Sequence, residues 1–168
     1  LHDPDILADI GTAEGREEAI SRVHELCPEG IDGLISNAAI PGGLDGQTPG
    51  RVLSVNYFGS LAVIQGLYDL LEKKQGNCVV TVSGSVAYGK RTRYDLDDLL
   101  TNCGDEERIC AFAGELAQKG LPVNAYVTTK YALCRWVKRV SASWAVRGVI
   151  INAVAPGGVD TTIIPGMK

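Results

Sequence analysis

The sequence is poor in residues that often mark a metal or redox centre. Histidine occurs twice and methionine once in 168 residues, and aromatic residues make up only 6 %. Five cysteines, Cys27, Cys78, Cys103, Cys110 and Cys134, stand scattered, with no CxxC pair and no histidine beside them in a ligand pattern. No metal site is expected from that spacing, and an odd count fits no closed disulfide framework. Free or buried thiols in a reducing compartment follow, with the cytoplasm as the expected location. No apolar run approaches the ~20 residues of a membrane-spanning helix, and no basic-then-apolar signal opens the chain. Clustered Lys and Arg are missing too. The net charge is −4 and the pI about 5.2, the opposite of a nucleic-acid surface. Neither a membrane nor a nucleic acid is an expected partner.

What is present is a globular composition, 45 % hydrophobic and 21 % charged, on a length of one domain. Short apolar runs alternate with longer helical patterns. DILADI (5–10) reads as a short strand. TAEGREEAISRVHELC (12–27) reads as a helix, with Thr12 as N-cap and Ala19, Ile20, Val23, Leu26 and Cys27 as its apolar stripe. IDGLISNAA (31–39) reads as a buried strand running into a loop. From about 50 to 74 a long helix is expected, apolar on most sides and so buried or used in an interface. NCVVTVSGS (77–85) reads as a strand, 125–147 as a helix, and GVIINAVAPGG (148–158) as a strand ending in a Pro-Gly turn. Strands separated by helices of this length imply an α/β fold, a doubly wound parallel sheet of Rossmann-like kind, in one domain over 1–168. In such sheets ligands sit at the carboxyl ends of the strands. Here those ends carry small or polar residues, at 37–39, 83–85 and 156–161.

One segment breaks the alternation. Residues 88–123 are polar and charged, with LDDLLTNC and DEERICAFAGELAQKG as candidate short helices. A connection of this length inside a compact domain is usually functional or disordered. It lies between a strand end and the next helix, and reads as an insertion acting as a substrate lid.

That next helix carries NAYVTTKYALCRWVKRV (124–140), with Tyr126 and Lys130 four residues apart. Positions i and i+4 share a helix face, so both side chains can serve one cleft. A phenol titrates near 10, too high for easy proton exchange at neutral pH, and a neighbouring ammonium favours its ionised form. Reaching pH 7 takes about 4 kcal/mol of differential stabilisation. Alone, the pair is weak evidence, because a solvated helix face looks the same. Its companions change that: SNAAIPGG (36–43) places small residues at a strand end, SVNYFGS (54–60) sets Asn56 inside an apolar helix, VTVSGSVA (80–87) delivers hydroxyls at another strand end, and NAVAPGGVDTT (152–162) ends a third strand in a rigid turn. A buried amide such as that of Asn56 needs partners, whether its role is structural or functional.

Taken in this order, these segments resemble the short-chain dehydrogenase/reductase family. SNAA is similar to that family's Asn-Asn-Ala-Gly motif, with Ser36 and Ala39 as departures. VNYFG resembles the helix segment bearing its asparagine, and SGSVA its serine motif. Tyr126 and Lys130 match its Tyr-x-x-x-Lys pair, and the run from Asn152 to Thr161 matches Asn-x-x-x-Pro-Gly-x-Val-x-Thr. ADIGTAEGREEAI, SVNYFG and the wide gap from Ser85 to Tyr126 are similar to a bacterial branch of hydroxysteroid dehydrogenases and carbonyl reductases. The resemblance implies a catalytic set of Asn56, Ser85, Tyr126 and Lys130, with Ser83 in reserve for Ser85. Ser85 would hold the substrate oxygen, Tyr126 would exchange the proton, Lys130 would bind the nicotinamide ribose, and Asn56 would hold a relay water. It implies NAD as cofactor, with NADP possible. Asp9 and Ile10 would lie near adenine and Asn37, Ala38 and Ala39 along the adenosine side. Pro156, Gly157, Val159 and Thr161 would lie near nicotinamide and pyrophosphate.

The implied activity is interconversion of a secondary alcohol and a ketone, steroid-like or otherwise hydrophobic. The alternative is a non-catalytic dinucleotide-binding regulator of the same fold. A homodimer or homotetramer is the expected assembly, paired through the helices of Asn56 and Tyr126 with Leu133, Trp136 and Trp144 as candidate surface residues, unless the insertion blocks that face. Core packing is the equal reading for those three. The sequence contains no strand, glycine-rich turn and helix of the kind that binds a pyrophosphate, and it stops before the family's last strand. It therefore reads as a fragment of a longer protein. Strands 5–10 and 31–36 are not expected to be sheet neighbours, so that the strands present would not form one continuous sheet.

Overall fold

The computed structural model describes residues 4–42, 46–84 and 91–157. Helix α1 (Ala13–Leu26) is capped as expected, the Thr12 hydroxyl accepting from the Gly15 amide at 3.1 Å. Strand β1 (Gly33–Ser36) follows, then α2 (Pro49–Leu53), a π-helical turn (Ser54–Gly59), α3 (Ser60–Gly66) and α4 (Tyr68–Lys74). Strand β2 (Asn77–Thr81) leads to α5 (Tyr94–Asn102) and α6 (Glu106–Gln118), and the described chain closes with α7 (Ala125–Val146) and β3 (Ile150–Val154). The three strands pair in parallel in the order β1-β2-β3, with Leu34 opposite Cys78 and Cys78 opposite Ile151. Parallel neighbours need crossovers, and α2 to α4 and α7 supply them.

Burial alternates along β2 and β3. Cys78, Val80 and Ile151 are buried, whereas Ile35 and Ile150 on the opposite face are exposed. Among the described residues the helices therefore pack on one face. The stripe of α1 is only half-covered, with Leu26 exposed and Ala19, Ile20, Val23 and Cys27 partly buried.

Three expectations need correction. The segment 5–10 is not a strand: Leu7 is 85 % exposed, and the segment makes no sheet pairing. It is held instead through its end, where Asp9 meets Arg51 and Ile10 meets Arg16. Nor is a continuous sheet ruled out, because β1 pairs with β2 and β2 with β3, and no further strand is needed between them. The single long helix from 50 to 74 is interrupted, by the π-helical turn at Ser54 and again at Leu67, whose φ is −106°. Its burial is as expected, with Leu53, Ile64, Leu70 and Leu71 fully enclosed.

The segment 88–123 is ordered helix over most of its described length. Leu96 and Leu100 on α5, and Ile109, Ala113 and Leu116 on α6, join the same apolar cluster as Ile64 and Leu133. Burying a large aliphatic side chain contributes about 1.5–3 kcal/mol, so these helices are core and not a loose flap. Leu133 and Trp136 are core as well, and Trp144 packs against Tyr68 with ring centroids 4.5 Å apart and planes tilted by 56°.

One charged contact fastens α5 to α7. Asp97 is fully buried, and its Oδ2 accepts from the Arg135 guanidinium. Its Oδ1 has no partner among the described residues. Burial pushes the Asp97 carboxyl above its ordinary range, with Arg135 pulling the other way. Because the native state then holds the proton more tightly than the unfolded chain, stability falls as pH rises above the ordinary carboxylate value. Arg135→Met strands the carboxylate and is expected to cost about 3 kcal/mol at pH 7, less near pH 4, toward which the raised acid takes up its proton. Urea unfolding of the full-length variant at both pH values checks this, and a loss independent of pH would contradict it.

Candidate active site

Because the sheet is parallel, the carboxyl ends of β1, β2 and β3 share one edge. Past β1, Asn37, Ala38 and Ala39 are exposed and Ile40 turns inward. The ends of β2 and β3 stay joined, Val82 donating to the Val154 carbonyl and Gly84 to that of Pro156, both at 2.9 Å. Ser83 lies half-buried on this edge, and Pro156 and Gly157 are exposed there. Ser85, Val159 and Thr161 lie outside the described residues.

Helix α7 begins at the same edge. Asn124 precedes it in the left-handed region, φ 48°, and Tyr126 stands in its first turn, half-buried. Lys130, one turn on, is 2 % exposed, and its Nζ donates to the Thr81 carbonyl at the end of β2, 3.0 Å away. That bond fixes the Tyr-Lys face against the sheet edge. Burial lowers the Lys130 ammonium from its usual value to about 8. Among the described residues no carboxylate pairs with it. An ammonium has three donors and Thr81 takes one.

Asn56 approaches from the π-helical turn and is fully buried. Its Oδ1 accepts from the Ile40 amide at 2.8 Å, and its Nδ2 donates to the Ile40 carbonyl at 3.0 Å. The side chain thus clamps the loop after β1 as a strand neighbour would. Farther along that loop, a Cβ on Gly42 would lie 3.5 Å from the Tyr126 Cβ. Asn56 and Tyr126 therefore bear on one loop, and Lys130 joins them through the sheet. Single-turn π-helices are frequent at functional sites, where the extra residue re-aims a side chain.

Asp9 makes several contacts within the protein. Its carboxylate is bidentate to Arg51, both oxygens 2.7 Å from Nη2, and also accepts from the Gly11 amide. Those bonds hold its acid below the usual carboxylate range. The Ile10 carbonyl accepts from Arg16. Sequence patterning offered no route to Arg16, Arg51, Glu106 or Ile40. Each acts through a partner distant in sequence, and the Ile40 contribution is backbone.

A parallel sheet with polar side chains gathered at its carboxyl edge defines a doubly wound, Rossmann-like protein. No family model matches the chain. It is 34 % identical to the 3-alpha-hydroxysteroid dehydrogenase/carbonyl reductase of Comamonas testosteroni, over 98 % of this chain and 63 % of that one. It is 30 % identical to a coniferyl-alcohol dehydrogenase of a Pseudomonas species, over 95 % of this chain and 58 % of the relative. The crystal structure of a Pseudomonas 3-alpha-hydroxysteroid dehydrogenase complexed with NADH superposes with a TM-score of 0.83 at 34 % identity, covering 96 % of this chain and 61 % of that one. The chain thus spans less than two thirds of each of these proteins. Over that stretch, the chain is similar in sequence and fold to short-chain dehydrogenases/reductases.

Proposed function

We propose that the full-length protein is a nicotinamide-dependent oxidoreductase interconverting a secondary alcohol and a ketone. The observation that carries this is the placement of Lys130, a buried ammonium with no carboxylate partner among the described residues, one turn from Tyr126 and tied to the end of β2. A buried cation needs compensation, and the two donors left on Nζ suit paired hydroxyls such as those of a ribose. The exposed small residues at 37–39 and the Pro156–Gly157 turn allow a flat ligand to approach backbone closely. The residues present therefore fit a nicotinamide dinucleotide. Lys130, Asn37, Ala38, Ala39, Pro156 and Gly157 would hold it, with Asp9, Ile10, Val159 and Thr161 assigned alongside them by family resemblance. When bound, that cofactor supplies the hydride acceptor or donor.

The protein's own share is proton chemistry and positioning. Tyr126 gives a proton to the substrate oxygen or takes it, as a positioned general acid or base. Ser85 orients that oxygen, Lys130 keeps a positive charge near the phenol, and Asn56 fixes the loop beside them and serves the proton relay. NAD is the preferred form, in keeping with the NADH complex of the Pseudomonas relative, and NADP is the second candidate.

A hydrophobic, steroid-like substrate follows from the hydroxysteroid relatives. The insertion would bound it. A shallow depression lined by Thr92, Arg93, Tyr94, Asp95, Pro122 and Asn124 lies at the foot of α7. Nicotinamide absorbance with the full-length protein, using 3-hydroxysteroids beside small cyclic alcohols, tests the substrate class. Higher kcat/KM for the steroids is expected, and a preference for the small alcohols would overturn the steroid-like assignment.

A further inference from the structure

We infer that Arg16 is a positioning residue of the active site, holding the π-helical turn that carries Asn56 in register with the loop after β1. The inference rests on the reading of the site proposed above. Arg16 is 12 % exposed in its side chain, and its guanidinium serves three separate elements. Nε donates to the Ile10 carbonyl at 2.6 Å and Nη2 to the Ser54 carbonyl at 2.9 Å. Nη1 and Nη2 also grip the Glu106 carboxylate at 2.6 and 2.8 Å.

The π-helical turn begins at Ser54 and ends at Gly59. An extra residue in a helical ladder worsens its hydrogen bonds, so such a turn persists where its surroundings over-determine it. Arg16 supplies a donor to the carbonyl that opens the turn. At the other end a Cβ on Gly59 would lie only 2.5 Å from the Ile10 carbonyl oxygen. That same oxygen is the one Arg16 holds with Nε. One guanidinium thereby reaches the first residue of the turn directly and the last through Ile10.

Asn56 sits between those two ends. An α-helix has 3.6 residues per turn, so removing one residue from the turn would swing Asn56 by about 100°. Both of its bonds to Ile40 would then be lost, and the loop from 37 to 42 would lose its clamp beside Tyr126. Glu106 orients the guanidinium and also bonds the Ser54 side chain, but touches neither carbonyl. Its loss leaves both donors in place.

Amide hydrogen exchange at Ile40, whose amide hydrogen is held by Asn56, tests this in the full-length protein, with Arg16→Met, Arg16→Lys and Glu106→Gln. Arg16→Met is expected to speed Ile40 exchange at least about tenfold while the amides of β2 and α7 keep their protection. It should also lower kcat more than it raises KM for the dinucleotide. Arg16→Lys, with one donor group in place of the fork, should follow Arg16→Met, and Glu106→Gln should keep Ile40 within about threefold of wild type. Unchanged Ile40 exchange in Arg16→Met would overturn the inference. So would loss of protection shared equally by β2 and α7, or a Glu106→Gln effect as large as that of Arg16→Met. Exchange needs no turnover, so a wild type that transfers no hydride would count against the proposed function, while the exchange result would still decide the role of Arg16.

Discussion

Tyr126→Phe in the full-length protein is expected to lower kcat by about a thousandfold while leaving dinucleotide affinity within about threefold. The size follows from the 10²–10⁴-fold that a positioned proton donor contributes. The phenyl ring keeps the half-buried contacts of the tyrosine and removes only the hydroxyl, so the loop around Gly42 has no steric reason to move. Steady-state rates and fluorescence titration with NADH separate the two effects. A fall in affinity matching the fall in rate would assign Tyr126 to binding and not to proton transfer.

Lys130→Met should produce opposite changes in activity and stability. Turnover should fall at least about a hundredfold, since the variant loses both the ribose donors and the charge near the phenol. Stability at pH 7 should rise. The Lys130 ammonium titrates at about 8 in the folded protein, against about 10.4 in an unfolded chain. Below pH 8 both states carry the proton, and the cost of burying the charge, about 3 kcal/mol, is present in full. Between pH 8 and 10.4 the unfolded chain binds more protons than the native one, so wild-type stability rises with pH relative to the variant. Losing the bond to the Thr81 carbonyl offsets about 1 kcal/mol. A net gain of about 2 kcal/mol at pH 7 is therefore expected, shrinking to nothing or reversing by about pH 10. Urea unfolding without cofactor at pH 7 and pH 10 checks it. A variant less stable than wild type at pH 7 would show that Lys130 is already compensated.

Lys130 was legible in the sequence through its spacing from Tyr126 and through the family resemblance. Spacing alone does not separate it from a solvated helix face, and its burial, 2 % exposed, is what the structure adds. The strands and α7 were equally legible, because apolar runs of strand length between helical patterns leave few arrangements, and Thr12 marked a helix start that its hydroxyl does cap. The segment 5–10 misled because an apolar run becomes a strand only with an open edge beside it. Here its end packs on Arg51, Val55 and Gly59.

The insertion was legible in its two short helices but not in what they bury. Its charge drew attention away from Leu96 and Leu100, and from Ile109, Ala113 and Leu116. Both groups stand at helical spacing, and both are buried. The π-helical turn left no pattern, because a helix apolar on most sides looks the same with or without one extra residue. Arg16 and Glu106 are 90 residues apart and no local rule joins them.

Transfer of deuterium is the most direct measurement on the proposed reaction. The full-length protein would be given NADH labelled at the nicotinamide C4 together with a 3-ketosteroid, and the product alcohol examined by mass spectrometry. Label from one face of the ring, recovered on the carbinol carbon and lost in Tyr126→Phe, is the result expected of an alcohol–ketone oxidoreductase working through this site. NADH that binds tightly while no label reaches any ketone, cyclic or steroidal, would contradict it and favour a dinucleotide-binding regulator that keeps the fold without the chemistry.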